Sequence, residues 1–272
     1  MALLDELDEL MGRPPQPKRR GQDPYHVRDG VREVTTYADR QRAARAAAVD
    51  RPEDYRDYAH LVVDEAQDVS PMQWRMLGRR GRLASWTIVG DPAQTAWTGD
   101  PAELARARDR ALGSRRRHEF TLSTNYRNPA EIFAEAAAVI REVSPDLPLP
   151  KAVRSTGVPP VALTAPEPAL RTAVHDATTR LLAEVEGTVG VITPAPRRAE
   201  VTTWLAELLT TTPRLQVVTG LESKGMEYDA VLLLAPDEIR SEAGARTLYV
   251  ALSRATQRLT QIHVINNPPR SA

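Results

Sequence analysis

From Tyr58 onward, short apolar runs alternate with longer helix-forming stretches, and this alternation limits the fold more than any other property of the chain. The runs at 59–63, 84–89, 118–122, 160–164, 188–193, 214–218, 230–235 and 259–265 have the length and composition of strands. Helical stretches at 101–112, 129–142, 167–186, 195–209 and 243–257, with one more opening at Ser70-Pro71, separate most of them. Strands joined through helices must cross over, so the pattern predicts mostly parallel, doubly wound sheets. Three helix starts carry the same signal, a capping side chain followed by proline at the first turn: Ser70-Pro71, Asp100-Pro101 and Asn128-Pro129. The proline-rich stretch 145–160 reads as a loop. Ahead of Tyr58, residues 2–11 place Leu3, Leu4, Leu7 and Leu10 at helical spacing, 14–24 reads as a linker, and 38–49 favours helix.

Composition narrows the function classes. The 272 residues carry 36 basic and 36 acidic side chains, so no overall field draws the chain to nucleic acid or membrane. Any such contact must come from local patches such as Arg79-Arg80-Gly81-Arg82 or Arg115-Arg116-Arg117, runs that more often form solvated loops. Cysteine is absent, which removes disulfides, thiolate catalysis and cysteine zinc sites. The histidines His26, His60, His118, His175 and His263 show no metal-ligand spacing. No apolar run approaches the ~20 residues of a membrane span, and the acidic start MALLDELDEL lacks the basic opening of a signal peptide. The expected location is the cytoplasm. Only Lys18, Lys151 and Lys224 are lysine.

The chemistry concentrates at strand ends. LVVDEAQDVS (61–70) is an apolar run that delivers Asp64-Glu65, the way a strand presents two carboxylates to a nucleotide's Mg²⁺ and attacking water. IVGDPAQ (88–94) ends another run, with Gln94 four residues after Gly90. LSTNYRNP (122–129) sets Tyr126 and Arg127 at a loop-to-helix transition. VVTGLESKGMEYD (217–229) follows a strand with Thr219, Lys224-Gly225 and Glu227, and TLYVALSRA (247–255) sets Arg254 on a helix.

These five segments, in this order over residues 59–257, resemble motifs II, III, IV, V and VI of the superfamily 1 helicases of the UvrD/Rep type. The DEAQD wording and the compact second half resemble the HelD branch, which acts on RNA polymerase. The resemblance implies an α/β fold of two RecA-like P-loop NTPase lobes: a helical or linker segment over 1–58, a partial first lobe over 59–127, and a second lobe over 128–272. It implies ATP and Mg²⁺ as cofactors and single-stranded DNA or another nucleic acid as partner. Asp64 would bind Mg²⁺ and Glu65 would orient or deprotonate the water. Gln94 would sense the γ-phosphate, and Arg127 and Arg254 would neutralise its charge. Tyr126 would stack on the adenine, Glu227 would contact the ribose, and Gly225 would lie beside the nucleotide. Thr219 and Trp97 would line the single-strand track by backbone contact and base stacking. Trp74, on the helix after motif II, reads as core.

The family's first motif, a glycine-rich loop ending in Gly-Lys, has no counterpart, because every lysine follows proline or serine. The first lobe is therefore expected to be incomplete, with its phosphate-loop strand missing and an open sheet edge. The stretch between Arg127 and Thr219 is too short for the inserted subdomain that unwinding relatives carry. Two readings follow. The chain is the C-terminal motor portion of an ATPase whose phosphate loop comes from an upstream segment or another chain. Alternatively it is a degenerate module that binds nucleic acid or RNA polymerase without turnover. A complete small NTPase with an unrelated phosphate loop is a third, weaker alternative.

Overall fold

A computed structural model of the protein describes residues 1–11, 27–28, 31–32, 58–95 and 100–265. The expected linker over 14–24, the helix over 38–49 and Trp97 lie outside the described residues. The chain divides into two compact units, Met1–Gly90 with Trp97–Arg116, and Asp91–Ala96 with Arg117–Ala272. Besides joining residues 1–58 to the first unit, this division departs from the expected 59–127 and 128–272 at two places. Asp91–Ala96 goes with the second unit because Ala93 is buried in its core and Gln94 bonds to its side chains. The segment after Arg116 joins the same unit because Thr124–Pro129 pairs with Lys151–Arg154.

In the first unit, α1 (Ala2–Met11), the two-residue antiparallel strands β1 (Val27–Arg28) and β2 (Val31–Arg32), β3 (His60–Val63), α2 (Pro71–Arg80), β4 (Ser85–Ile88) and α3 (Pro101–Leu112) follow in order. β3 and β4 pair in parallel, with Leu61 opposite Trp86 and Val63 opposite Ile88. Both expected caps form. The Ser70 side chain accepts from Gln73 N while Gln73 reaches back to Ser70 N, and Asp100 accepts from Ala102 N. One sheet face buries Val63 with Trp74 and Ala107, and Trp74 is fully buried as expected. The first basic cluster is structural: Arg79 and Arg80 bond to Asp5 of α1, and Arg79 also reaches Glu6. Those bonds to Arg79 hold the Glu6 carboxyl below its ordinary range. Arg115 donates to the carbonyls of Leu112, Gly81 and Arg82, so it too braces backbone.

The second unit holds β5 (Thr124–Pro129), α4 (Ala130–Val143), β6 (Lys151–Arg154), β7 (Val161–Pro166), α5 (Leu170–Glu184), β8 (Val189–Thr193), α6 (Arg198–Trp204), α7 (Ala206–Thr211), β9 (Leu215–Thr219), β10 (Tyr228–Leu234), α8 (Pro236–Leu252) and β11 (Ala255–Ile265). Five strands form one sheet in the order β7-β11-β10-β8-β9, parallel throughout. Both faces of β10 are buried: Val231 and Leu233 pack with α4 and α8, and Ala230, Leu232 and Leu234 pack with α5 and α6. Gly190 on β8 lets the Tyr228 ring lie against the sheet, since a Cβ there would sit 2.6 Å from the ring. The mixed α/β class with mostly parallel sheets is therefore as the sequence predicts. Among the described residues no helix is long and apolar enough to cross a membrane.

Besides the helix expected over 243–257, which ends at Leu252, four local expectations fail. Residues 118–122 form no strand, and Phe120 and Leu122 are exposed; pairing begins at Thr124, after Lys151 N donates to Ser123 O. Its partner β6 lies inside the stretch read as loop. The helix over 195–209 breaks at Leu205 into α6 and α7. Asn128 does not cap α4; its side chain turns inward and donates to Ser253 O and Ala255 O.

Candidate functional site

In the first unit, the chain leaves β3 through Asp64 and enters a short turn at Ala66–Asp68. Glu65 sits there with a left-handed backbone (φ 50°), a sparsely populated conformation for a residue with a Cβ. Three bonds hold it: Ala66 N donates to Val89 O at 3.0 Å, Glu65 N donates to the Asp64 carboxylate at 2.8 Å, and Gln67 donates its amide to Glu65 Oε2. Asp64 is exposed and Glu65 half-buried. Among the described residues no three His, Asp or Glu side chains converge. A single exposed carboxylate fits Mg²⁺, which takes one or two carboxylates and completes its octahedron with phosphate and water oxygens. It does not fit an all-protein metal cage.

In the second unit, Gln94, Arg127, Glu227 and Arg254 stand in two bonded groups. Gln94 ends the turn Pro92–Gln94 and is satisfied on every side. Its Nε2 donates to Asp91 Oδ2 at 2.7 Å, its Oε1 accepts from Arg254 Nη2 at 3.2 Å, and its carbonyl accepts from Lys224 Nζ at 2.6 Å. Arg254 is 2% exposed and lies past the end of α8, in the turn into β11, rather than on the helix the sequence suggests. The helix stops there because Tyr228 N takes the Arg254 carbonyl into the β10–β11 ladder. The guanidinium also donates to Val250 O, Met226 O and Ser253 Oγ. Burial, reinforced by Asp91 and opposed by Arg254, pushes the neighbouring Tyr249 hydroxyl up to about 12.

Arg127 is half exposed and pairs with Glu227 at 2.9 Å, so the two residues expected at opposite ends of a nucleotide touch each other. Tyr126 is 71% exposed, with an open ring face. Gly225 follows Lys224 with φ 74°, the left-handed geometry that glycine adopts at no steric cost. Thr219 ends β9, and both its amide and its hydroxyl donate to Glu222. The Thr219 amide, more than the Arg198 pair beside it, holds the Glu222 carboxyl below its ordinary range. Sequence reasoning gives Asn128 only a capping role and assigns none to Lys224, Asn125 or Arg154. The scarcity of lysine and the paired asparagines around Tyr126-Arg127 were the available signals.

Residues 215–260 match the family model of the UvrD-like helicase C-terminal domain. That span contains Thr219, Gly225, Glu227 and Arg254. Among solved structures, the C-terminal domain of a possible DNA helicase from Lactobacillus plantarum aligns at 22% identity and a TM-score of 0.39, over 53% of this chain and 91% of that one. An arterivirus helicase, nonstructural protein 10 in complex with DNA, aligns at 16% identity and a TM-score of 0.39, over 78% of this chain and 41% of that one. The chain thus spans less than half the length of the viral helicase. No curated protein matches.

Proposed function

We propose that this chain is the C-terminal motor portion of a superfamily 1 ATPase that moves on single-stranded nucleic acid, with two RecA-like lobes. The observation that carries the reading is the hydrogen bond from Arg254 to Gln94, inside a unit whose residues 215–260 are similar to a UvrD-like helicase C-terminal domain. Gln94 is tied at once to Arg254, Lys224 and Asp91. A negative group drawn to the Arg254 guanidinium competes with Gln94 Oε1 for the same N–H. The turn bearing Gln94 is then held or released according to what the guanidinium faces, which is the behaviour of a phosphate sensor. ATP would supply the phosphoryl group, and its charge would be met by Arg254 and by Arg127 once Arg127 leaves Glu227. Tyr126 offers an open ring for adenine, Glu227 a carboxylate for ribose hydroxyls, and Gly225 a turn without a side chain beside them. Asp64 would hold Mg²⁺ and Glu65 would orient the water. Thr219 and Trp97 would contact the strand. The phosphate-binding loop would come from another segment or chain, and the HelD-like wording favours RNA polymerase as a partner.

The absence of any Gly-Lys pair favours a second reading, a module that binds nucleic acid or RNA polymerase without turnover. The test is MgATP binding and hydrolysis by the purified chain, with and without single-stranded DNA. Weak saturable binding that Arg254→Ala reduces about tenfold, without turnover, is the expected result. Adding a phosphate-loop segment should then start hydrolysis, which Glu65→Gln should abolish while leaving binding intact. Turnover near ~1–10 s⁻¹ by the chain alone would overturn the need for an outside loop. Nucleic-acid binding with no nucleotide binding at all would establish the second reading instead.

A further inference from the structure

We propose that Asn128 is the positioning residue that locks the two arginines of the candidate nucleotide site, Arg127 and Arg254, to one another; this rests on the nucleotide reading given above. Asn128 is 3% exposed and adjoins Arg127 in sequence. Its Nδ2 donates to Ser253 O at 2.8 Å and to Ala255 O at 2.7 Å, the carbonyls on either side of Arg254. Carbonyls only accept, so the amide group of Asn128 has one permitted orientation, with Oδ1 turned away from them. That oxygen accepts from Asn125 Nδ2 at 3.1 Å. Asn125 is thereby oriented as well, and its Oδ1 takes the backbone amides of Arg127 (2.9 Å) and Asn128 (3.1 Å). One chain of amides runs from the Arg127 backbone to the Arg254 backbone with each polar atom assigned.

Arg154 grips the same two segments from outside. Its Nη1 donates to Arg127 O at 2.8 Å and Tyr126 O at 3.3 Å, and its Nη2 reaches Thr256 O at 3.4 Å. The loop 125–128 and the α8–β11 turn are thus fastened twice, although more than a hundred residues separate them in sequence. Fixed backbones matter here because two guanidiniums converging on one anion gain from a set separation, and ordering them at the moment of binding costs entropy.

Asn128→Asp keeps the shape and the acceptor oxygen but removes both donors. Arg154→Met, at an exposed position, loosens the outer grip and guards against misfolding of the first variant. The readout is MgATP affinity of the full chain in a double-mutant cycle with Arg254→Ala, together with hydrogen exchange of the free protein. Asn128→Asp should weaken MgATP about tenfold and Arg154→Met about threefold. Neither should weaken it further once Arg254 is alanine. Exchange should quicken at 125–128 and 253–256 and stay unchanged elsewhere. Losses that simply add to that of Arg254→Ala, or an unchanged affinity in Asn128→Asp while Arg254→Ala still weakens binding, would overturn the positioning role and leave the nucleotide reading standing. If the wild-type chain binds no MgATP, the nucleotide reading falls and the positioning role falls with it. Quickened exchange at the two segments would then mark Asn128 as a brace of the fold alone.

Discussion

The two units use parallel strands in different ways. In the second, β8 and β10 are buried along nearly their whole length, and helices cover both faces of the five-stranded sheet. In the first, among the described residues, β3 and β4 bury one face. Val63, Trp86 and Ile88 pack with α2 and α3, while His60, Val62, Ser85 and Thr87 are exposed, Val62 at 67%. His60 lies across that open face, bonded to Ser85 Oγ at 2.7 Å and Thr87 Oγ1 at 3.1 Å. Parallel sheets are ordinarily covered on both faces. The lesson is that a strand's periodicity does not report its surroundings. HLVV and VGVIT look equally apolar in sequence, yet one has a wet face and the other has none.

The comparison breaks first on core truncation. Leu233 is fully buried in the cluster with α4 and α8, so Leu233→Ala should cost about 3 kcal/mol of unfolding free energy. Val62→Ala, on the open face of β3, should change stability by less than about 0.5 kcal/mol. Denaturant unfolding followed by a probe in each unit measures both. Equal losses would mean that the Val62 face is covered in solution. Gly190→Ala comes next: its Cβ would meet the Tyr228 ring, whose hydroxyl is held by Gln216 at 3.1 Å. Overpacking of this kind costs about 1–3 kcal/mol, and Tyr228→Phe should not relieve it, because the clash is with the ring and not the hydroxyl.

Much of the second unit was legible in the sequence because its signals are local and redundant. Runs such as AVLLL and VGVIT admit few alternatives between turn residues, and in the first unit the helix starts at Ser70-Pro71 and Asp100-Pro101 form as read for the same reason. What escaped depends on distant partners. β6 is a strand only because β5 pairs with it, and nothing within KAVR announces that partner. Asn128 carries the local pattern of a cap, but the carbonyls of Ser253 and Ala255 compete for its amide and win. Arg254 reads as helical by its neighbours and leaves the helix because β10 claims its carbonyl. Within the candidate site, the residue types were legible and the bonds were not. The sequence suggests Gln94 and Arg254 as separate stations, and the structure joins them.

The smallest contrast lies in two half-buried carboxylates, one per unit, each held below its ordinary value of 4.5 by a different force. Glu6 in the first unit is depressed chiefly by its hydrogen bond to Arg79, with further help from Arg75, both of them charged partners. Glu131 in the second falls to about 2 through the Ser155 hydroxyl, then its own backbone amide and those of Gly157 and Thr156. A depressed carboxylate adds stability that is fully present above the unfolded value and is lost as pH falls toward the folded one. The Glu131 increment should therefore disappear between about pH 4.5 and pH 2, and Glu131→Gln should flatten that part of the curve. Salt separates the two cases. Raising ionic strength to about 1 M shortens the screening length to ~3 Å, which should lift the Glu6 value toward 4.5 and leave Glu131 near 2. Carboxyl-carbon titration by NMR at low and high salt reads both groups in one sample. A Glu131 value that climbs with salt would mean that charge, rather than the neutral donors of the 155–157 turn, holds it down.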